Sequence, residues 1–185
     1  MNDGLCERQV SSTLIFDGKV VHLYHDDVRL PNGEMSTREV VKHIGAVCVI
    51  PVTDDGKVII EQQFRYPLRS IITEIPAGKL EYASEDRLDA ARRELREETG
   101  LTADVWTNLG DMYPAAAYTD ERITMFMAQG LHKGEQNLDY DEFLTVKEVP
   151  LKDLVEEVME GKIPDSKTQI AILKAWKLLG GELFG

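Results

Sequence analysis

Three turn dipeptides, Asp17-Gly18, Asn32-Gly33 and Asp55-Gly56, punctuate β-rich runs in the first third of this chain. Such pairs supply the positive-φ backbone of tight hairpins, so they commit their flanking segments to antiparallel pairing. "LIFDGKVVHLYHDDVRL" and "LPNGEM" therefore read as antiparallel strands within residues 13–43. So few strands bury no core alone, and they must lean on the rest of the chain or on a second subunit. From Ile44 the texture turns apolar, and "GAVCVIPV", "KVIIEQQF" and "SIITEIPAG" predict three more strands, the last ending at Pro76. Leu88, Ala91 and Leu95 recur at helical spacing within 85–98, and Gly100 supplies the stop. Strands are expected around 103–111, 121–130 and 142–148, then helices near 151–160 and 165–179, the second capped by Asp165 or Ser166. Strands around one early and one late helical region suggest a mixed α/β sandwich, residues 44–185, preceded by a small β extension, residues 1–43.

At 185 residues the chain suffices for one substantial domain. Its 21 basic and 33 acidic residues leave a net charge of −12, which argues against a nucleic-acid or anionic-membrane surface, since either needs a basic face. Small anionic substrates stay open, because a metal or a few arginines reverse the field inside a pocket. Cys6 and Cys48 are the only cysteines and form no metal-binding spacing, so zinc and a disulfide framework are not expected. No signal-peptide pattern and no long apolar run is evident, so a cytoplasmic location is the expectation.

The stretch "RRELREETG" carries the chemistry. On a helix Glu94, Glu97 and Glu98 stand at i, i+3 and i+4 and share one face. They also crowd the C-terminal turn, where the macrodipole is negative and like charges repel. A solvated face laced by an Arg93–Glu97 pair is the plain alternative. Three carboxylates so placed also suit a hard divalent cation such as Mg²⁺, which takes oxygen ligands, substrate phosphates and water.

"GKLEYASEDRLDAARRELREETGL" resembles the Nudix box: counted from Glu85, the positions Arg93, Glu94, Leu95, Glu97, Glu98, Gly100 and Leu101 all match. One departure is that Gly78 lies six residues before Glu85 instead of five, with Ser84 at the strict glutamate position; the extra residue should bulge the loop and leave the helical acids in register. "REVVKHIGAVCVIPV", "QQFRYPLRSIITEIPAGKLE", "DYDEFLTVKEVPL" and "SKTQIAILKAW" further resemble the bacterial ADP-ribose pyrophosphatase branch of the Nudix hydrolases. The resemblance implies an α/β/α sandwich with a mixed sheet, an N-terminal β domain exchanged within a homodimer, and Mg²⁺-dependent hydrolysis of the diphosphate bond of ADP-ribose to AMP and ribose 5-phosphate, with Mn²⁺ as a substitute.

It also implies roles. Glu94, Glu97, Glu98 and the Ala77 carbonyl are the metal ligands, while Glu85 either binds metal or orients the helix. Arg93 holds the glutamates. Glu142, in the acidic loop "EQNLDYDEF", is the general base, with Asp141 and Asp139 as rivals. Arg65 binds substrate phosphate, with Arg38, Arg69 and Glu74 as secondary contacts. Tyr66 or Tyr118 is a candidate to stack on an adenine, but both read first as core aromatics. A second departure is Ala115-Ala116-Ala117, where ADP-ribose members carry a proline-containing stretch. It leaves open another nucleoside diphosphate sugar as substrate, and a non-catalytic nucleotide-sugar-binding module stands as the reading from a different class.

Overall fold

The computed structural model describes residues 3–138 and 140–182. Contacts divide the chain into two units, one of residues 1–44 and 113–122, the other of 45–112 and 123–185.

The first unit is a three-stranded antiparallel sheet of β1 (Arg8–Asp17), β2 (His22–Arg29) and β3 (Met35–Lys42), in that spatial order. Two of the sequence's turn dipeptides join these strands, and Gly33 takes the positive φ of 91° its turn requires. Every residue of edge strand β1 is exposed. The segment 113–122 is tied to the end of β3. Val41 N–H donates to the Tyr118 carbonyl at 2.7 Å, and the Asp120 carboxylate accepts from His43 N–H at 2.8 Å and pairs with Lys42 at 3.1 Å.

The second unit has a mixed four-stranded sheet and a three-stranded antiparallel one. The mixed sheet runs β7 (Ala77–Lys79), β4 (Ala46–Pro51), β9 (Ile123–Lys133), β8 (Leu101–Met112), with only β4 and β9 parallel. The other runs β10 (Leu144–Pro150), β5 (Lys57–Arg65), β6 (Ser70–Glu74). β4 is buried along its whole length, as its unbroken apolar sequence requires of a strand covered on both faces. Its side chains alternate. Val47 and Val49 pack with Ala90, Ala91 and Leu95 of helix α1 (Arg87–Thr99), whereas Ala46, Cys48 and Ile50 pack with residues of α2 (Leu151–Met159) and α3 (Ser166–Leu178). Helices thus cover both faces of the mixed sheet, which is the expected α/β/α sandwich.

The strand predicted to end at Pro76 is two strands. Pro76 has no N–H for the ladder, so β6 stops at Glu74, the chain turns through Ile75-Pro76, and β7 resumes beside β4. The Pro76 carbonyl still accepts from Val49 N–H at 2.8 Å. That jog brings Ala77 to the acidic face of α1.

Candidate active site

Helix α1 is fixed at both ends before it presents its acids. The Asp86 carboxylate caps it, accepting from Leu88 and Asp89 N–H at 2.9 and 3.1 Å, and Gly100 ends it at a φ of 72°. Ala90, Ala91 and Leu95 face the core, which turns Glu94, Glu97 and Glu98 toward β7. The carboxylate of Glu98 accepts from Ala77 N–H at 2.8 Å. Gly78 lies so close that a Cβ there would stand 2.1 Å from the carboxyl carbon of Glu94, so any other residue would displace that carboxylate. The residue inserted between Gly78 and the helix falls in the turn before α1, where the Glu85 carboxylate accepts from Glu81 N–H at 2.7 Å. The helical register is undisturbed.

Arg93 binds several acids at once. Its Nη1 donates to Glu94 at 2.7 Å and Glu97 at 3.2 Å, its Nε to Glu85 at 3.3 Å, and its Nη2 to the Lys79 carbonyl at 3.2 Å. Burial opposes its charge, and the surrounding glutamates outweigh that, holding its pKa above the ordinary arginine value.

The glutamates, Arg93 and the Ala77–Glu81 backbone line a cleft of about 390 Å³, which Asn137 and Glu142 close from the other side. The loop bearing Glu142 runs from β9 to β10 and is tied to the end of α1. Asn137 N–H donates to the Glu97 carbonyl at 2.9 Å, and the Gln136 amide donates to the Glu98 carbonyl, satisfying two groups that a helix C-terminus leaves open. Asp141 is exposed and outside this lining, and Asp139 lies outside the described residues.

One further buried acid lies near enough to interact electrostatically with Glu98 and Glu142. Glu61 on β5 is 3% exposed, and its Oε1 has no hydrogen-bond partner among the described residues. Burial first, then the charges of Glu142 and Glu74, push its pKa well up. Burial likewise raises Glu98, reinforced by Glu61, Glu94 and Glu142. Glu94 rises from 4.5 to about 7, because burial outweighs the lowering by Arg93. An orphaned buried carboxylate oxygen beside three more acids fits a hard divalent cation, whose charge would offset both desolvation and repulsion. Among the described residues no three acidic, histidine or cysteine side chains are already gathered as a closed ligand shell, and Arg93 engages Glu94 and Glu97.

Arg65, at the end of β5, donates from Nε to Glu74 at 2.7 Å. Burial disfavours its charge and the Glu74 bond outweighs it, so its pKa is raised. Glu74 is 4% exposed and also accepts from Lys167 Nζ at 2.6 Å. Arg69 has a left-handed backbone (φ 53°) and lies 3.7 Å over the Tyr66 ring. Arg38, in the N-terminal sheet, is ion-paired to Glu7 and bonds to Thr37 O at 2.7 Å. Tyr66 and Tyr118 are not core residues; both are mostly exposed, Tyr66 because the 3-10 turn at Tyr66–Leu68 juts from the sheet.

A family model described as "NUDIX domain" matches residues 42–170. The chain belongs to the Nudix family. A second model, "Nucleoside diphosphate sugar hydrolase N-terminal domain", matches residues 7–41. Among curated relatives of this Nudix hydrolase, the ADP-ribose pyrophosphatase of Bacillus subtilis (strain 168) is 47% identical over 168 residues, covering 90% of each chain. The methanol dehydrogenase activator of Bacillus methanolicus is 43% identical over the same share of each. A solved structure described as an ADP compounds hydrolase superposes with a TM-score of 0.82 at 20% identity, covering 95% of both chains, and shares the fold.

The cleft thus gathers Ala77, Arg93, Glu94, Glu97, Glu98 and Glu142 in its lining, with Glu85 bonded to Arg93 and the Arg65–Glu74 pair on the β5–β6 hairpin. Glu61 and Lys167 were not foreseen. Glu61 had one available signal, an acid inside the otherwise apolar run "VIIE" of a strand read as buried.

Proposed function

We propose that this Nudix hydrolase cleaves the diphosphate bond of ADP-ribose, giving AMP and ribose 5-phosphate, with Mg²⁺ and with Mn²⁺ as its substitute. The observation that carries the reading is the set of buried, mutually repelling carboxylates, Glu94, Glu98 and Glu61, around a cleft that Glu142 closes. A divalent cation bound there supplies charge neutralisation of the diphosphate and a more acidic water.

Glu94, Glu97, Glu98 and the Ala77 carbonyl hold that ion. Glu85 and Arg93 keep the three helical glutamates on their face, which favours the orienting role for Glu85 over the ligand role. Glu142 takes the proton of the attacking water as the new oxygen–phosphorus bond forms and the bridging phosphorus–oxygen bond breaks, the leaving phosphate oxygen keeping the electron pair. Arg65 commits Nε to Glu74, so its two terminal nitrogens are left for a substrate phosphate, the planar fork that suits such oxygens. Arg69 and Arg38 are secondary contacts.

The fully exposed edge strand β1 supports the exchange of the 1–43 extension between two copies, and a content of two cysteines, Cys6 and Cys48, in a chain of this size fits the reducing compartment of a cytoplasmic location. A second reading, another nucleoside diphosphate sugar as substrate, is favoured by the match of residues 7–41 to a nucleoside diphosphate sugar hydrolase N-terminal domain. A panel of ADP-, GDP- and UDP-linked sugars with Mg²⁺, scored for released monophosphate, separates the two. ADP-ribose is expected to have the highest kcat/KM. A GDP- or UDP-sugar in first place favours the second reading, and no turnover on any favours a binding module.

A further inference from the structure

The start of α3 carries a buried charged group that the proposed reaction does not use. Lys167 is 8% exposed, and its ammonium contacts Glu74 at 2.6 Å and Asp165 at 3.1 Å. Burial works against that charge, and the two carboxylates more than compensate. Next to it, the Thr168 hydroxyl accepts from Ile75 N–H at 3.0 Å and donates to Asp165 at 2.6 Å. One helical turn therefore grips two consecutive positions at the end of β6, Glu74 by its side chain and Ile75 by its backbone.

Each grip leads to a working part of the site. Glu74 passes from Lys167 on one oxygen to Arg65 on the other, at 2.6 and 2.7 Å. Ile75 leads through Pro76, anchored by its carbonyl to Val49 N–H, to Ala77, whose N–H holds Glu98. We propose that Lys167, with Asp165 and Thr168, is a positioning residue. It fixes Glu74 so that the Arg65 guanidinium meets a substrate phosphate in one orientation, and it sets the strand jog that delivers Ala77 to the metal-facing helix. The four charged side chains Arg65, Glu74, Lys167 and Asp165 form a neutral chain, alternating in sign, in which the two inner groups, Glu74 and Lys167, are nearly desolvated and a long arginine is held at its base. Well-ordered supporting contacts of this kind are what keep a binding group within the small tolerance that productive geometry demands.

The inference rests on the assignment of Arg65 to the substrate phosphate, and the test separates the two. Lys167→Met alone takes from Glu74 and Asp165 the cation they share and endangers the fold, so the informative variant is Lys167→Met with Asp165→Asn, which removes one charge of each sign. Asparagine also keeps the helix cap. With ADP-ribose and Mg²⁺, the double variant is expected to raise KM about tenfold while kcat stays within about threefold, and Arg65→Ala added to it should cost little more, because the two act as one unit. Lys167→Arg, which restores a donor to Glu74, should recover much of the KM. Independently of turnover, the Arg65 Nε–H resonance in a ¹H–¹⁵N spectrum should shift in the double variant and return toward its original position in Lys167→Arg. Effects of the double variant and Arg65→Ala that simply add, or an unmoved Arg65 resonance in a folded double variant, overturn the proposal. If the wild-type chain hydrolyses no nucleotide sugar, the functional reading fails and the Arg65 resonance alone decides whether the clamp exists.

Discussion

Glu98 is 5% exposed, and its carboxylate accepts from the Ala77 backbone N–H. Its charge is tolerable only where another charge answers it. Glu98→Gln keeps the size and the bond to Ala77, removes a metal oxygen's charge, and relieves repulsion from Glu61 and Glu94. The expected outcome is a loss of Mg²⁺-dependent turnover by about two orders of magnitude or more, with a melting temperature in EDTA no lower than wild type; full activity would remove Glu98 from the metal site. Gly78→Ala makes a sharper geometric point. The added methyl falls on the Glu94 carboxyl, so Mn²⁺ affinity, read by titration calorimetry, should drop while far-ultraviolet circular dichroism is unchanged. These residues were legible in the sequence because one helix holds the acids at fixed intervals. Glu61 and Lys167 were not. Glu61 reaches the cleft by a strand register that pairs it with Glu74, and Lys167 reaches Glu74 from 93 positions away; no local spacing encodes either meeting.

At the scale of elements, α1 is the piece that the site depends on, and its cap is its most local support. Asp86→Ala removes two hydrogen bonds to the first turn and should cost about 1 kcal/mol of unfolding free energy, read by urea denaturation. KM should barely change, since the acids lie at the other end. Strand and helix positions were readable from turn dipeptides, the all-apolar β4 and the Gly100 stop. β7 was not, for a physical reason: three residues are too few to show an alternation, and the strand exists because Pro76 ends the previous ladder and β4 offers an open edge. The exposure of Tyr66 was misread for a similar cause, since a short 3-10 turn lifts it clear of the sheet that its neighbours build.

The same buried acids govern the stability of the whole molecule. Glu94 has an ordinary value of 4.5 and rises to about 7 in the folded chain, so between those values the native state binds the extra proton. Unfolding releases it, and stability falls as pH rises through this window. For Glu94 the difference corresponds to roughly 3 kcal/mol, and Glu61 and Glu98 act in the same direction. In EDTA the melting temperature should therefore fall by about 5–10 °C from pH 5 to pH 8, and saturating Mg²⁺ should cancel most of that fall. A flat profile in EDTA would mean that the carboxylates are solvated after all. The division into two units has a different consequence, one of timing. The unit built on the N-terminal sheet is completed by residues 113–122, which leave the ribosome some seventy residues after Lys42 (113 − 42 = 71). At roughly 5–20 residues per second, several seconds separate the two. During that interval β3 waits without the segment that will bond to Val41 and His43, while β1, at the opposite edge of the same sheet, is bare as well.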